Sequence, residues 1–228
     1  MDQPQGQETT LGYLAASTTG GPGVLVIHAW WGLNGFFRAL CDRLAAAGFV
    51  ALAPDLFGGR TATTSDQARM LLRDMDGTAA LATLGAAAME LQGHAATRGQ
   101  TLGTVGFSLG AAYALVLSTT MPQALGAVVM YYGTEPDADY TAARAAYLGH
   151  YAPDDAWEPD SLVLRQTEAL RGAGRAVTIE RYPGARHWFA EENRPDDYHP
   201  EAARLAWQRT TAFLHRQLDH PTGRDGAG

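Results

Sequence analysis

The residues best placed to do chemistry in this chain are Gly106-Phe107-Ser108-Leu109-Gly110. A Gly-x-Ser-x-Gly stretch between an apolar strand-like run and an apolar helix-like run predicts a strained turn that lifts a serine hydroxyl above a sheet, where it can attack a carbonyl carbon. The two glycines are there for steric reasons, because strand and helix meet so closely in such a turn that a Cβ at either place would strike a neighbour. Gly103 and Ala111-Ala112 keep the surroundings small as well. Five residues can match by chance, so partners elsewhere must supply the rest.

A serine hydroxyl is a weak nucleophile at neutral pH. It needs a base to take its proton, and the base needs a carboxylate to fix its tautomer and to stabilise it once charged. On an elbow of this kind the chain order is serine, then Asp or Glu, then histidine. His28 and His94 precede Ser108, while His150, His187, His199, His215 and His220 follow it. His187 is the expected base because it lies in a loop, Pro183-Gly184-Ala185-Arg186, just past the last predicted strand. His215 and His220 fall on or beyond the terminal helix, His199 marks the start of that helix, and His150 lies within a strand. For the acid, Asp154 and Asp155 both follow the strand ending at Tyr151, and one of the two is expected to cap a turn.

The oxyanion formed on attack needs preorganised N–H donors. Leu109 supplies one at the start of its helix, where the dipole also favours negative charge. The second is expected from the loop after an earlier strand, at the backbone N–H of Trp30. Trp31, Phe57, Trp157, Trp188 and Phe189 fall in loops on the same predicted edge and point to an aromatic-lined pocket. Arg60 and Arg186 are the nearby cations that could hold an anionic substrate group.

The elements that must position these residues alternate strand and helix. Thr10 to Ala16 reads as a first strand and Ser17 to Gly23 as a connection. Val24-Leu25-Val26-Ile27 is a β-branched run without polar alternation, as expected of a strand buried on both faces. Asn34 can cap a helix to about Ala47 with Phe37, Leu40 and Leu44 inward, Gly48 stops it, and Phe49 to Ala53 is a second buried strand. A helical stretch from Ser65 to about Ala96, divided near Gly77, leads to the strand Leu102 to Phe107 and the elbow helix Leu109 to Thr120. Strands follow at Ala127 to Tyr132 and Ala146 to Tyr151, then a helix from Asp160 to about Arg171 and a strand at Ala176 to Tyr182. A terminal helix spans Pro200 to Leu218 with Ala203, Trp207, Thr210 and Leu214 inward. This pattern predicts an α/β fold: one domain over residues 1–219, a mostly parallel sheet covered by helices on both faces, no large cap domain, and chemistry at the carboxyl ends of the strands. Residues 220–228 read as a disordered tail.

Composition narrows the partners. With 228 residues, 46 % hydrophobic and 18 % charged, the chain can bury a substantial core. A net charge of −7 without a basic cluster argues against nucleic acid. The single cysteine, Cys41, lies on an apolar helical face and reads as a buried structural thiol. The polar start of the chain lacks a signal pattern, and no apolar run reaches membrane-spanning length, which leads to a cytoplasmic expectation. No His, Cys or carboxylate cluster has metal-ligand spacing, and no Gly-rich phosphate loop follows the first strand, so neither metal nor nucleotide cofactor is expected. The expected partner is a small molecule, and a monomer is favoured over an oligomer.

Five segments together resemble the dienelactone hydrolase family in order and spacing: His28 to Asn34, Val50 to Phe57, the elbow, Leu148 to Pro159, and Tyr182 to Phe189. The resemblance runs from about Leu11 to Leu218 and implies an α/β-hydrolase fold acting on esters or lactones. It implies Asp155 as the acid, since the family's aspartate is followed four residues later by proline, here Pro159. It also implies His187 as base and the N–H groups of Trp30 and Leu109 as oxyanion donors. The family's usual cysteine nucleophile is Ser108 here, and its usual glutamate in the opening motif is Ala29. The two changes fit together, because a serine uses His187 directly and has no thiol proton to control. Glu191 stands where the best-known members hold a substrate carboxylate with an arginine, which points away from dienelactone itself. The expectation is therefore a serine esterase or lactonase working through an acyl-serine. The competing readings are a non-catalytic small-molecule binder and an acyl or thioester transferase on the same site.

Overall fold

Val24 to Ile27 is apolar throughout because both of its faces are covered. The computed structural model describes residues 6–219, and in it β3 (Gly21–Ile27) lies between two parallel neighbours, β4 (Val50–Pro54) and β5 (Thr97–Phe107). Val24 and Val26 enter the core on one side of the sheet, Leu25 and Ile27 the core on the other. The same period of two divides Val105 and Phe107 from Leu102, and Val129 and Tyr131 from Val128 and Met130. β3 begins earlier than its sequence suggests, since Gly21 and Pro22 pair with Thr97 and Arg98 and a register shift before Val24 accommodates the proline.

Among the described residues the sheet has eight strands. β1 (Gln7–Glu8) and β2 (Gly12–Ala16) form an antiparallel edge, and β2 pairs antiparallel with β4. β6 (Leu125–Tyr131), β7 (Ala146–Tyr151) and β8 (Val177–Arg181) extend the parallel part, giving the order β1-β2-β4-β3-β5-β6-β7-β8. The two-residue β1 falls in a polar stretch that carries no strand signal. One face is covered by α1 (Gly35–Ala46) and α6 (Pro200–Leu218), the other by α3 (Gly77–Gly93), α4 (Leu109–Thr120) and α5 (Asp160–Gly172). Asn34 caps α1 through Phe36 N, as its position suggests. On α6 the fully buried stripe is Ala202, Ala206, Thr210, Phe213, Leu214 and Leu218, so Ala203 and Trp207 lie on its flank rather than at its centre. The helical stretch after residue 65 breaks before Gly77: α2 (Ser65–Asp74) ends at Met75, and Asp76 caps α3 through Thr78 and Ala79. The expectation for residues 220–228 lies outside the described residues. Among those described, no helix is long and apolar enough to cross a membrane.

The elbow joins β5 to α4 where backbone packs on backbone. A Cβ on Gly106 would lie 2.3 Å from the Gly110 carbonyl oxygen, and one on Gly110 would lie 2.1 Å from that of Ile27. The second contact also seats the start of α4 against the end of β3, which puts the loop after β3 beside the serine. Gly106→Ala and Gly110→Ala should each lower unfolding free energy by about 3 kcal/mol or more, because backbone atoms cannot give way as a flexible side chain can. Urea denaturation of the two variants measures this.

Candidate active site

Ser108 sits at φ 50° and ψ −113°, in a region costly for a residue with a Cβ, by about 1–3 kcal/mol. Its backbone N–H donates to Tyr131 O at 2.8 Å, which fixes the turn to the neighbouring strand. Although it occupies the N-cap of α4, its side chain makes no cap bond. The hydroxyl instead lies 3.0 Å from His187 Nε2.

His187 reaches that position from the turn after β8, closed by Ala185 N–H to Tyr182 O at 3.1 Å. Its Nδ1 is 2.6 Å from Asp155 Oδ2, and both side chains are buried. An ionised carboxylate can only accept, so Nδ1 carries the proton and Nε2 presents its lone pair to the Ser108 hydroxyl. The other Asp155 oxygen accepts from Trp157 N–H at 2.8 Å and Glu158 N–H at 3.0 Å, so the loop after β7 is wrapped around this carboxylate. Asp154 is exposed. Of the two aspartates that the residues alone left open, Asp155 is the one brought to His187. Glu158 also receives a hydrogen bond from the Thr134 hydroxyl. Burial pushes its carboxyl up to about 7; the Thr134 bond opposes this, and the charge of Asp155 adds to it.

The N–H of Leu109 begins a helix and has no intrahelical acceptor. Trp30 lies in the loop that Gly110 holds against α4. His28 is fully buried and pins that loop internally: its Nδ1 donates to Ala29 O at 2.7 Å, and its Nε2 accepts from Leu56 N–H at 3.2 Å. Burial lowers the His28 pKa, which keeps the ring neutral and able to do both.

A cavity of about 750 Å³ opens onto Ser108, Leu109, Trp30 and Trp157. Its remaining wall is one face of α2: Asp66, Arg69, Met70, Leu72 and Arg73. The aromatic wall is smaller than the sequence suggests. Trp31, Phe57, Trp188 and Phe189 are buried and do not line the cavity. Trp31 and Trp188 pack edge-on at 5.2 Å and back Trp30, and Trp188 also meets the His187 ring at 4.7 Å. The cations differ too. Arg60 pairs with Asp74 at 2.9 Å and Arg186 is exposed, whereas Arg69 lies 5.8 Å from the Trp30 ring and 5.5 Å from that of Trp157. Helical spacing puts Arg69 and Arg73 on one side of α2, yet nothing local says that this side turns to Ser108. Glu191, expected as a repulsive charge at the substrate, is fully buried and off the cavity wall. Among the described residues no group of three or more His, Cys, Asp or Glu could hold a metal ion.

A sheet of this order, with a Gly-x-Ser-x-Gly turn between β5 and α4, is that of the α/β hydrolases. Within that class residues 11–218 match the dienelactone hydrolase family, a family of carboxylic-ester hydrolases, and the chain belongs to it. It is 32 % identical to Protein usf of Aquifex pyrophilus over 219 residues, covering 91 % of this chain and 93 % of that protein. It is 29 % identical over 217 residues to a protein of Aquifex aeolicus (strain VF5) provisionally named carboxymethylenebutenolidase, with 91 % and 93 % covered. Among solved structures it is similar to a provisionally named dienelactone hydrolase from Klebsiella pneumoniae subsp. pneumoniae MGH 78578. The TM-score there is 0.79 at 27 % identity, over 90 % of this chain and 92 % of that one.

The two aspartates should separate cleanly in kinetics. Asp155→Asn should lower kcat by about 10²–10⁴-fold, since the amide cannot hold the same His187 tautomer, while Asp154→Asn should stay within about twofold. Steady-state rates on a short activated ester provide the comparison.

Proposed function

We propose that this enzyme hydrolyses carboxylic esters or lactones through an acyl-Ser108 intermediate. The observation that carries this reading is the continuous hydrogen-bonded line from Ser108 Oγ through His187 to Asp155, at 3.0 and 2.6 Å, opening onto the cavity. Ser108 Oγ attacks the carbonyl carbon as its proton passes to His187 Nε2, and Asp155 stabilises the imidazolium so formed. The oxyanion is held by the N–H groups of Leu109 and Trp30. Collapse of the tetrahedral species breaks the ester C–O bond, and His187 returns the proton to the leaving oxygen. A water then attacks the acyl-serine, giving its proton to His187, and the acid product leaves with Ser108 restored.

The cavity suggests what is bound. Trp30, Trp157, Leu109 and Met70 favour an apolar or aromatic body, and Arg69 with Arg73 favours an anionic group at the α2 wall. With Glu191 buried away from that wall, an acidic lactone is compatible with the site. The name carboxymethylenebutenolidase carried by a relative is consistent with such a substrate. The lone, buried Cys41 suits a reducing compartment, and we place the reaction in the cytoplasm.

A serine-directed phosphonate should label Ser108 once per chain, and Ser108→Ala and His187→Ala should each lower kcat by about 10⁴-fold or more. Turnover surviving in Ser108→Ala, or an ester bound without being consumed by the unsubstituted enzyme, would overturn the proposal. Arg69→Ala should raise KM about tenfold for a carboxylate-bearing ester and leave a neutral p-nitrophenyl ester within about twofold. Measuring both substrates on the same variant tests the anion reading.

A further inference from the structure

One buried acid has no part in the steps above. Glu191 is fully buried and belongs to the same short segment as His187, its N–H closing onto the carbonyl of Trp188, itself held at φ 64°, at 2.9 Å. One carboxyl oxygen accepts from the Tyr132 hydroxyl at 2.9 Å, and the other has no partner. Among the described residues no cation forms an ion pair with it. Arg194, the nearest guanidinium in sequence, places its charge 3.4 Å from the centre of the Trp31 ring. Tyr132 connects this acid to the chemistry. It follows β6 at φ 40°, donates its N–H to His150 O at 2.9 Å, and sets its ring 4.9 Å from the His187 ring. The imidazole is thus held at its edge by Asp155 and packed by a tyrosine whose hydroxyl ends on Glu191.

We propose that Glu191, acting through Tyr132, is a positioning residue for His187 and performs that role as a neutral carboxylic acid. The proposal rests on His187 being the base. A carboxylate with one oxygen unpaired and no ion pair is far costlier in a dry interior than the neutral acid, whose one unpartnered O–H carries no charge. Burial pushes the Glu191 carboxyl up to about 8; the Tyr132 bond and Arg194 oppose this and Asp197 adds to it. Ionisation therefore places an unpaired charge behind the tyrosine that packs on the base. Activity should fall as pH rises through about 8, by loss of alignment rather than by titration of the serine–histidine pair.

The test is a set of pH–rate profiles from about pH 6 to about pH 10 on an activated ester, with melting temperatures over the same range and down to about pH 4. Glu191→Ala should lower kcat about tenfold at neutral pH with KM within about twofold, and Glu191→Gln should recover most of that loss and abolish the alkaline fall. Melting supplies a readout independent of turnover. Because the folded-state pKa is raised from 4.5, the stabilising contribution of Glu191 is fully present below that value and is lost as pH rises through about 8; Glu191→Gln should not show this decline. If Glu191→Gln keeps the wild-type alkaline fall, or Glu191→Ala leaves kcat unchanged, the proposal fails. Should neither variant fold, Tyr132→Phe, which keeps the ring and removes the hydroxyl, must lower kcat and displace the alkaline fall, and an unchanged profile overturns the proposal. An active Ser108→Ala would instead defeat the mechanism on which it rests.

Discussion

The close approach of α4 to β3 and β5 is the constraint on which the rest of the site depends. Two backbone contacts, Gly110 against Ile27 O and Gly106 against Gly110 O, leave no room for a Cβ. They force Ser108 into a positive-φ conformation that no local preference would choose. The strain is local, and the packing that imposes it is spread through a sheet buried on both faces. As a result the hydroxyl points out of the sheet toward His187 instead of capping its own helix. The same contact brings the Trp30 loop beside the helix N-terminus, so one steric requirement locates both the proposed nucleophile and both proposed oxyanion donors.

The other members arrive from separate strands, and buried polar bonds fix the strand ends from which they depart. Tyr131, Thr210, His150 and Tyr182 form a chain of contacts at 2.8, 3.0 and 2.9 Å linking the ends of β6, β7 and β8 to α6. Burial drives the His150 pKa down to about 3, so its ring stays neutral and can donate at one nitrogen and accept at the other. His28 does the same beneath the Trp30 loop. Neither histidine lines the cavity; His28 ties the Trp30 loop to Leu56, and His150 ties β7 to Tyr182 and α6. Such bonds supply preorganisation of the kind that the proposed oxyanion hole and triad require.

The cavity wall has a different origin. Four of the six aromatic residues on the carboxyl edge are covered by their neighbours, and only Trp30 and Trp157 line the opening. The second wall is α2, a short helix that buries just Ala68 and Leu71 and turns Arg69, Met70 and Arg73 toward Ser108. Large apolar rings in loops must be covered by something, which is why their sequence positions point to a pocket. Here they cover one another, and substrate space is left to a helix whose composition is polar and whose capping box, Thr64 with Gln67, reads as an ordinary surface element.

The alternation of strand and helix, the elbow, and the order serine, aspartate, histidine are all legible in the chain, because each rests on local chemistry. A β-branched run has two buried faces, an Asn starts a helix, and two glycines permit a turn. Fold class follows from those features and their spacing, and they narrow the set to Ser108, His187 and one of Asp154 and Asp155; the family, and Asp155 as the acid that the structure brings to His187, come from the resemblance of five segments. What the sequence could not decide was direction across space: which loop aromatics shield one another, which arginines reach the cavity, and whether Glu191 faces substrate or core. Glu191 shows the reason most clearly. Its position suggests a charge at the substrate, but the Trp188 turn folds it inward to Tyr132, where burial favours its neutral form. Local pattern fixes backbone shape, whereas the side on which a side chain ends, and with it its charge, is settled only by the packing of residues distant in the chain.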